Sequence, residues 1–309
     1  MSEHEVLVIG SAGVDVKVEV GEEVQWGPSN PAPIRWGWGG VARNLAENLA
    51  RLGVEVRLIT AVGDDQSGRQ LIAHLHSVGV ETDHTLIVEG GKTAAYVALS
   101  RPDEGLWVAF DDMACIESIT AGHLYRHRRL FKEAEMICID ANLSPRTLAT
   151  LFSLAERYGV PVCADPTASI LAPRLRPYLG HLALLTPNRS EAEAILGHPL
   201  PDEEEPLREA ARQLTRAGVE LAVITLGAKG LIYATPSESG HLPTFTHEIV
   251  DLTGAGDALT AATAYGLLEG MPPSEAVRLG LAAAAQTIQC RETVCPDLSL
   301  ESLYEWLIV

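Results

Sequence analysis

The chain is poor in basic charge and has no long apolar run. Against 41 Asp and Glu stand 23 Lys and Arg, a formal net charge of −18 over 309 residues. Acidity of this size argues against nucleic acid or an anionic membrane as the main partner, although a local pocket can still hold a small anion. No apolar stretch reaches the ~18 residues of a membrane span. The N-terminus, Met1-Ser-Glu-His-Glu, is charged and leads straight into the apolar VLVIG. It lacks the basic and apolar regions of a secretory leader, so cytoplasmic residence is the expectation.

Cysteine is scarce as well. The five, at positions 115, 138, 163, 290 and 295, are odd in number and contain no CxxC. Cys138 and Cys163 lie inside strand-like runs and read as small buried hydrophobes. Cys290 and Cys295 have no nearby histidine pair, so no metal site is expected there. No GxxxxGK[ST] occurs, which excludes a Walker-type phosphate loop. GWGG (37–40) is not GxGxxG and GSAG (10–13) is too short, so no dinucleotide fingerprint follows the first strand. Internal repeats and low-complexity tracts are also missing.

What is present is a globular composition, 47% apolar and 21% charged, sufficient for a sizeable core. Short apolar runs at 5–10, 55–63, 134–140, 160–166, 182–188 and 221–227 alternate with helical patterns at 40–53, 65–80, 145–158, 189–196 and 206–217. In the first of these helices Val41, Leu45, Leu49 and Leu52 share a face, with Gly53 as a natural terminator. Strands alternating with helices predict an α/β fold, a mostly parallel sheet covered on both faces, with ligands at the strand ends.

Two stretches break the rhythm. Residues 14–38 alternate apolar and polar before a segment with prolines and three tryptophans, and 93–112 read as a hairpin turning at Pro102–Gly105. Both read as antiparallel strands forming one small discontinuous lid. The core then comprises 1–13, 39–92 and 113–309. The acidic run Asp202–Glu205 reads as a solvated loop before a helix.

The stretch DLTGAGDA, Asp251–Ala258, enters a helix of small residues. A helix N-terminus offers unpaired N–H groups and partial positive charge, and Gly254, Ala255 and Gly256 leave those groups uncovered. That is an anion hole, with phosphate the obvious anion. A carboxylate beside a phosphate is unfavourable for binding alone. Asp257 makes sense as the acceptor of a proton from a hydroxyl attacking phosphorus.

These residues, taken with GGVARN (39–44), AVGDDQSG (61–68), DP (165–166), PNRSEAE (187–193) and TLGAKG (225–230), resemble the ribokinase family of sugar and nucleoside kinases. The motifs follow the family's order and span nearly the whole chain. SNPAPIRWGWGGVARNLAENLARLG (29–53), FDDM (110–113), IDANLS (139–144) and CPDLS (295–299) are similar to one nucleoside-kinase branch of it. The resemblance implies a ribokinase-like three-layer core with a β lid, phosphorylation by ATP with Mg²⁺, and a homodimer through the lids.

By the same resemblance Asp257 is the base, acting on a 5′-hydroxyl. Asp15, Gly39, Gly40, Asn44, Asn142 and Asp112 contact the acceptor, with Asp112 reaching the base. Asn188, Thr225, Gly227 and Gly230 serve ATP, and Lys229 is either a phosphate contact or a solvated tip. Glu191 and Asp165 organise Mg²⁺, mostly through water, although Asn188 and Glu191 also have the form of a capping box. Asp251 and Thr253 fit one side of a site for a monovalent cation, K⁺ in kind. Arg43 is left to pair with phosphate or face water, and Trp36 and Trp38 to serve an interface or the core. Gly13 stands where the family often has Asn. Alternatives are a kinase for ribose, fructose, adenosine or another nucleoside, and a non-catalytic sugar-binding protein on the same fold.

Overall fold

Strand β1 (Glu5–Ile9) has no polar face beyond its first residue. Val6 and Val8 go to one side, Leu7 and Ile9 to the other, and all four are buried. Successive strand side chains point to opposite faces, so such a strand must be covered on both. That requirement sets the layering of the computed structural model, which describes residues 4–21, 24–101, 105–245 and 249–308.

After β1 come β2 (Gly13–Glu19), β3 (Ile34–Gly39) and helix α1 (Val41–Arg51). β4 (Glu55–Ile59) and β5 (Ala61–Gly63) lead to α2 (Gln66–Ser77). The short β6 (Val80–Glu81) and β7 (Leu86–Val88) lead to β8 (Ala94–Arg101) and β9 (Gly105–Asp112). Helices α3 (Ala121–Arg126) and α4 (Arg128–Glu133) precede β10 (Met136–Asp140), followed by α5 (Pro145–Tyr158), β11 (Val162–Asp165) and β12 (Leu182–Leu185). α6 (Arg189–Leu196) and α7 (Glu204–Arg216) come before β13 (Leu221–Thr225), β14 (Leu231–Ala234) and β15 (Ser239–Leu242). Then follow α8 (Ala255–Leu268), α9 (Pro273–Thr287) and α10 (Leu300–Ile308).

Among the described residues the main sheet is ordered β15-β14-β13-β12-β11-β10-β1-β4-β6. Every pair from β6 across to β13 is parallel, and β14 and β15 add antiparallel at one edge. Helices α1, α2, α8 and α9 bury one face, through residues such as Leu45, Leu71, Ala261 and Val277. Helices α3 to α7 bury the other, through Leu124, Phe131, Leu148, Ile195 and Leu214. The expected three-layer core is present, and Cys138 and Cys163 are buried in it.

A separate sheet, ordered β3-β2-β8-β9, takes in the two segments expected to form the lid. Its outer pairs are antiparallel, but the central pair β2–β8 is parallel, which corrects the reading of antiparallel strands throughout. Both strands leave the core side by side, Gly13 paired with Ala94, and so run the same way. Met1–Glu3, Glu22 and Glu23 of the first lid segment, and Pro102–Glu104 of the expected hairpin turn lie outside the described residues.

Helix α8 is small-residue and buried nearly all round, because α9 presses it onto the sheet. A Cβ added at Gly280 of α9 would lie 2.1 Å from Thr263 Oγ1 and 2.7 Å from the Leu259 carbonyl oxygen. The helices are in backbone contact there, which leaves no room for repacking. Gly280→Val is therefore expected to destabilise the protein by about 1–3 kcal/mol through overpacking. Chemical denaturation checks this; an unchanged midpoint would contradict the close approach.

Candidate active site

The loop entering α8 is built around one residue without a side chain. Gly254 caps the helix at φ 86°, and a Cβ there would lie 1.8 Å from the Thr293 carbonyl oxygen. Glycine alone meets both conditions. A Cβ on Gly256 would meet nothing within 4 Å, so this turn faces open space. The Ala255 N–H has only a long 3.4 Å contact with Leu252 O. The helix thus presents its positive end to a cleft, a fit place for an anion.

Asp257 lies in the first turn of α8, half-buried. Its Oδ2 accepts from Asn44 Nδ2 of α1 at 2.6 Å. Its carboxyl is pushed up to about 7, first by burial and further by Asp15 and Asp140, while the Asn44 hydrogen bond and Arg43 pull the other way. A carboxylate poised near neutrality beside an anion hole can take a proton at physiological pH.

Asp15 projects from β2 over Gly39, whose Cβ would lie 1.9 Å from Asp15 Oδ1. Gly40 starts α1 at φ 94°, pressed on Ser11 and Ala12. Burial raises the Asp15 pKa, Lys17 and Arg43 lower it, and Asp251 raises it. Asn142 follows β10 and donates from Nδ2 to Ser11 Oγ at 3.1 Å. Gly13 has a physical reason as well: a Cβ would lie 2.4 Å from the Ala94 carbonyl oxygen, so its pairing with Ala94 leaves no room for asparagine.

Asn188, Thr225, Gly227 and Gly230 gather on the other side of α8's N-terminus. Thr225 N–H donates to Pro187 O at 2.9 Å, and Asn188 bridges to Thr225. A largely apolar cavity of about 830 Å³ opens here, lined by Thr225, Gly227 and Gly230 and reaching Ala255 and Gly256. A smaller one of about 340 Å³ includes Asn188 and Thr225. Asn188 and Glu191 do form a capping box: Asn188 Oδ1 accepts from Glu191 N–H, and Glu191 Oε2 from Asn188 N–H. Asp165, at the end of β11, accepts from Thr167 N–H at 2.7 Å.

Burial raises the pKa of both Asp165 and Glu191, and Asp257 and Glu191 raise that of Asp165 further. Asp165 and Glu191 lack a cationic partner among the described residues, a setting that a divalent cation would relieve. Among the described residues no three His, Cys, Asp or Glu side chains converge to hold a metal. An ion here would rely on water and phosphate oxygens, as Mg²⁺ commonly does.

Several expectations need correction. Asp112 pairs with Ala95 and thus Val14, on the face opposite Asp15, and its Oδ1 accepts from Ala114 N–H at the lid base. The residues sharing Asp15's face are Tyr96 and Asp111, which the sequence reading missed by one step of the pleat. Lys229 is not such a case: it is exposed, as a solvated tip would be, pairs with Asp202 at 2.6 Å, and also lines both cavities, where a phosphate could reach it. Asp251 accepts from Lys17 Nζ at 2.7 Å and from Thr253 N–H, so an ammonium of the chain already meets the charge expected to serve a monovalent cation. Arg43 neither faces water nor opens to a phosphate; it is 3% exposed and ion-paired with Glu47. Cys290 and Cys295 form a disulfide around Thr293. Trp38 packs on the core beside His74, while Trp36 is 74% exposed.

Also missed was the hub below α1. Asp140, fully buried, accepts from Ser11 N–H (2.7 Å), Ser11 Oγ (2.6 Å), Ala42 N–H (3.1 Å) and Asn142 N–H (2.9 Å). It ties the ends of β1 and β10 to the start of α1. The only sequence signal was a polar residue at each strand end.

Comparison with known proteins gives a consistent picture. The profile of the pfkB family carbohydrate kinases matches residues 3–298. Pseudouridine kinase of Escherichia coli strain K12 is 35% identical over 299 residues, 96% of this chain and 95% of that protein. A carbohydrate kinase from Agrobacterium tumefaciens superposes with a TM-score of 0.83 at 31% identity, covering 98% of this chain and 97% of that one. Ribokinase of Arabidopsis thaliana, solved with ribose and ATP, superposes with a TM-score of 0.84 at 24% identity over 100% of both chains; it shares the fold.

The Asp257 environment has a pH signature in stability. An unfolded Asp titrates near ~3.9, and the folded one near 7. Between those values the folded state binds more protons than the unfolded, so this group's contribution falls as pH rises. Asp257→Asn is expected to be more stable than the wild type at pH 8, with the difference shrinking toward pH 4. Denaturant midpoints at the two pH values check this; a loss of stability at pH 8 would contradict it.

Proposed function

The chain belongs to the pfkB family of carbohydrate kinases, and on that footing we propose that it phosphorylates the 5′-hydroxyl of pseudouridine with ATP. The observation that carries the reading is the junction at α8. Asp257, held by Asn44 and in the field of Asp15, lies in the same helical turn as Ala255 and Gly256, which line the larger cavity.

In this proposal ATP lies in the 830 Å³ cavity, its phosphates toward Asn188, Thr225, Gly227 and Gly230. Asp257 takes the proton of the acceptor hydroxyl. The new O–P bond forms as the bond from the γ-phosphorus to the β-phosphate oxygen breaks, and ADP leaves. The N–H groups at Gly254, Ala255 and Gly256 face the charge that develops on the transferring group. A magnesium ion held through water by Asp165 and Glu191 would offset the phosphate charge. Asp15, Asn44 and Asn142 hold the sugar against Gly39 and Gly40, with Tyr96 and Asp111 above. We do not extend the proposal to K⁺, because Asp251 is already paired with Lys17.

The nucleoside reading draws support from the 35% identity with a pseudouridine kinase along nearly the full chain. The outer face of the lid supports a homodimer. Ile34, Trp36 and Phe110 share that face and are 57%, 74% and 63% exposed. A second lid would cover them. Among the described residues no helix is long and apolar enough to cross a membrane, and use of ATP suits the cytoplasm.

Phosphoryl transfer from ATP with Mg²⁺ should be assayed with pseudouridine, uridine, adenosine, ribose and fructose. Preference for pseudouridine is expected, with Asp257→Asn lowering the rate roughly 10²–10⁴-fold. Preference for another acceptor would overturn the substrate, and no Asp257-dependent transfer would favour a sugar-binding protein.

A further inference from the structure

Arg43 is a buried cation with more partners than an ion pair needs. Its Nη1 lies 3.1 Å from Trp38 O, 2.5 Å from Asn44 Oδ1 and 3.1 Å from Thr293 Oγ1. Its Nη2 meets the Glu47 carboxylate and lies 3.3 Å from His74 Nε2. Glu47 needs no further cation. It already accepts from Arg51 Nη2 at 2.7 Å and Nε at 3.0 Å, and lies 2.8 Å from His74 Nε2. Glu47 alone therefore does not account for a guanidinium buried at a considerable desolvation cost, and the Asp15 and Asp257 carboxylates also favour its charge.

The contact with Asn44 gives that guanidinium a geometric role beyond its charge. A side-chain amide has one acceptor end and one donor end, and it can turn by 180° unless its surroundings differ. Asn44 stands between a guanidinium and a carboxylate. With Oδ1 on Arg43, Nδ2 must face Asp257, where it donates at 2.6 Å. The opposite orientation would set N–H against N–H and oxygen against carboxylate. The same guanidinium steadies Thr293, whose carbonyl backs Gly254, and Trp38 of the lid strand β3.

We propose that Arg43 is a positioning residue for phosphoryl transfer, fixing the Asn44 amide so that its N–H groups face Asp257 and the acceptor. The proposal rests on the kinase reading above, but its geometry can be tested in the resting protein. Asn44 then meets an acceptor molecule only as a donor, and selects a lone pair on it. The fork of the guanidinium matters as well as its charge, because an ammonium cannot reach Glu47, Asn44, Trp38 O and Thr293 together.

Two measurements on Arg43→Met and Arg43→Lys decide the matter. In protein labelled with [¹⁵N]asparagine, the Asn44 side-chain signal is identified by its loss in Asn44→Ala. Asp257→Asn should shift that signal in the wild-type background and leave it unmoved in either Arg43 variant. A shift that persists in the Arg43 variants would overturn the proposal, whether or not the protein is a kinase. In turnover, kcat should fall roughly 10²-fold in both variants while the KM for ATP holds. Arg43→Met combined with Asn44→Ala should be no slower than Asn44→Ala alone. Arg43→Lys keeps a cation beside Glu47 and guards against simple misfolding. Recovery of wild-type kcat by lysine, or additive losses in the double variant, would show that Arg43 acts by charge or independently of Asn44. Should the wild type transfer phosphate to no acceptor, the kinase reading fails while the amide signal still decides the geometry.

Discussion

Buried carboxylates with few partners, gathered from β2, the end of β11 and the first turns of α6 and α8, are the constraint around which the cleft is organised. The fold treats its acids unequally. Asp140 receives four hydrogen bonds, Asp251 has Lys17, and Glu47 has two arginines and a histidine. Burial raises the pKa of Asp15, Asp165, Glu191 and Asp257; Asp257 and Glu191 raise Asp165 further, and Asp15 raises Asp257. Structural acids are satisfied by the chain. Acids left wanting a proton or a cation are candidates for work on something that is not part of it.

Such an arrangement costs stability, so the surroundings must be over-determined. Helices α1 and α8 lie side by side on one face of the sheet and bring Asn44 to Asp257. Each begins at a glycine with positive φ pressed on a neighbouring backbone, Gly40 on Ser11 and Gly254 on Thr293. Asp140 then fastens the start of α1 to β1 and β10. The positive ends of both helices are thereby fixed by backbone contact, and the carboxylates are held against a rigid frame.

Much of this is legible in the chain because local and global signals agree. Strands apolar at every position announce a sheet covered on both faces, and TGAGD announces a helix entry open to an anion. The contributions of Asp140 and Arg43 are hidden for different reasons. Ser11 and Asp140 are 129 residues apart, and only strand register unites them. Arg43, Glu47 and Arg51 repeat at a spacing of four, which reads as an ordinary exposed ladder on a helix. Arg43 and Glu47 are nonetheless buried, and Arg43 reaches Thr293 and Trp38, which no local pattern connects with α1. Asp111 and Asp112 are adjacent acids, and sequence alone does not say which one the pleat turns inward.

That parity gives the lid two separate chemistries. Along β2, Asp15 and Lys17 alternate with Val14, Val16 and Val18. The partners follow suit, with Arg35, Tyr96 and Asp111 on one face and Ile34, Trp36, Val97 and Phe110 on the other. A one-residue slip in β2 would exchange the faces, exposing the acid and burying valines in the cleft. Gly13 guards against this at the start of β2, since it seats the strand against Ala94 where no side chain fits. Where the family often has asparagine, Gly13 fits closely against Ala94, in the register that pairs Asp15 with Tyr96.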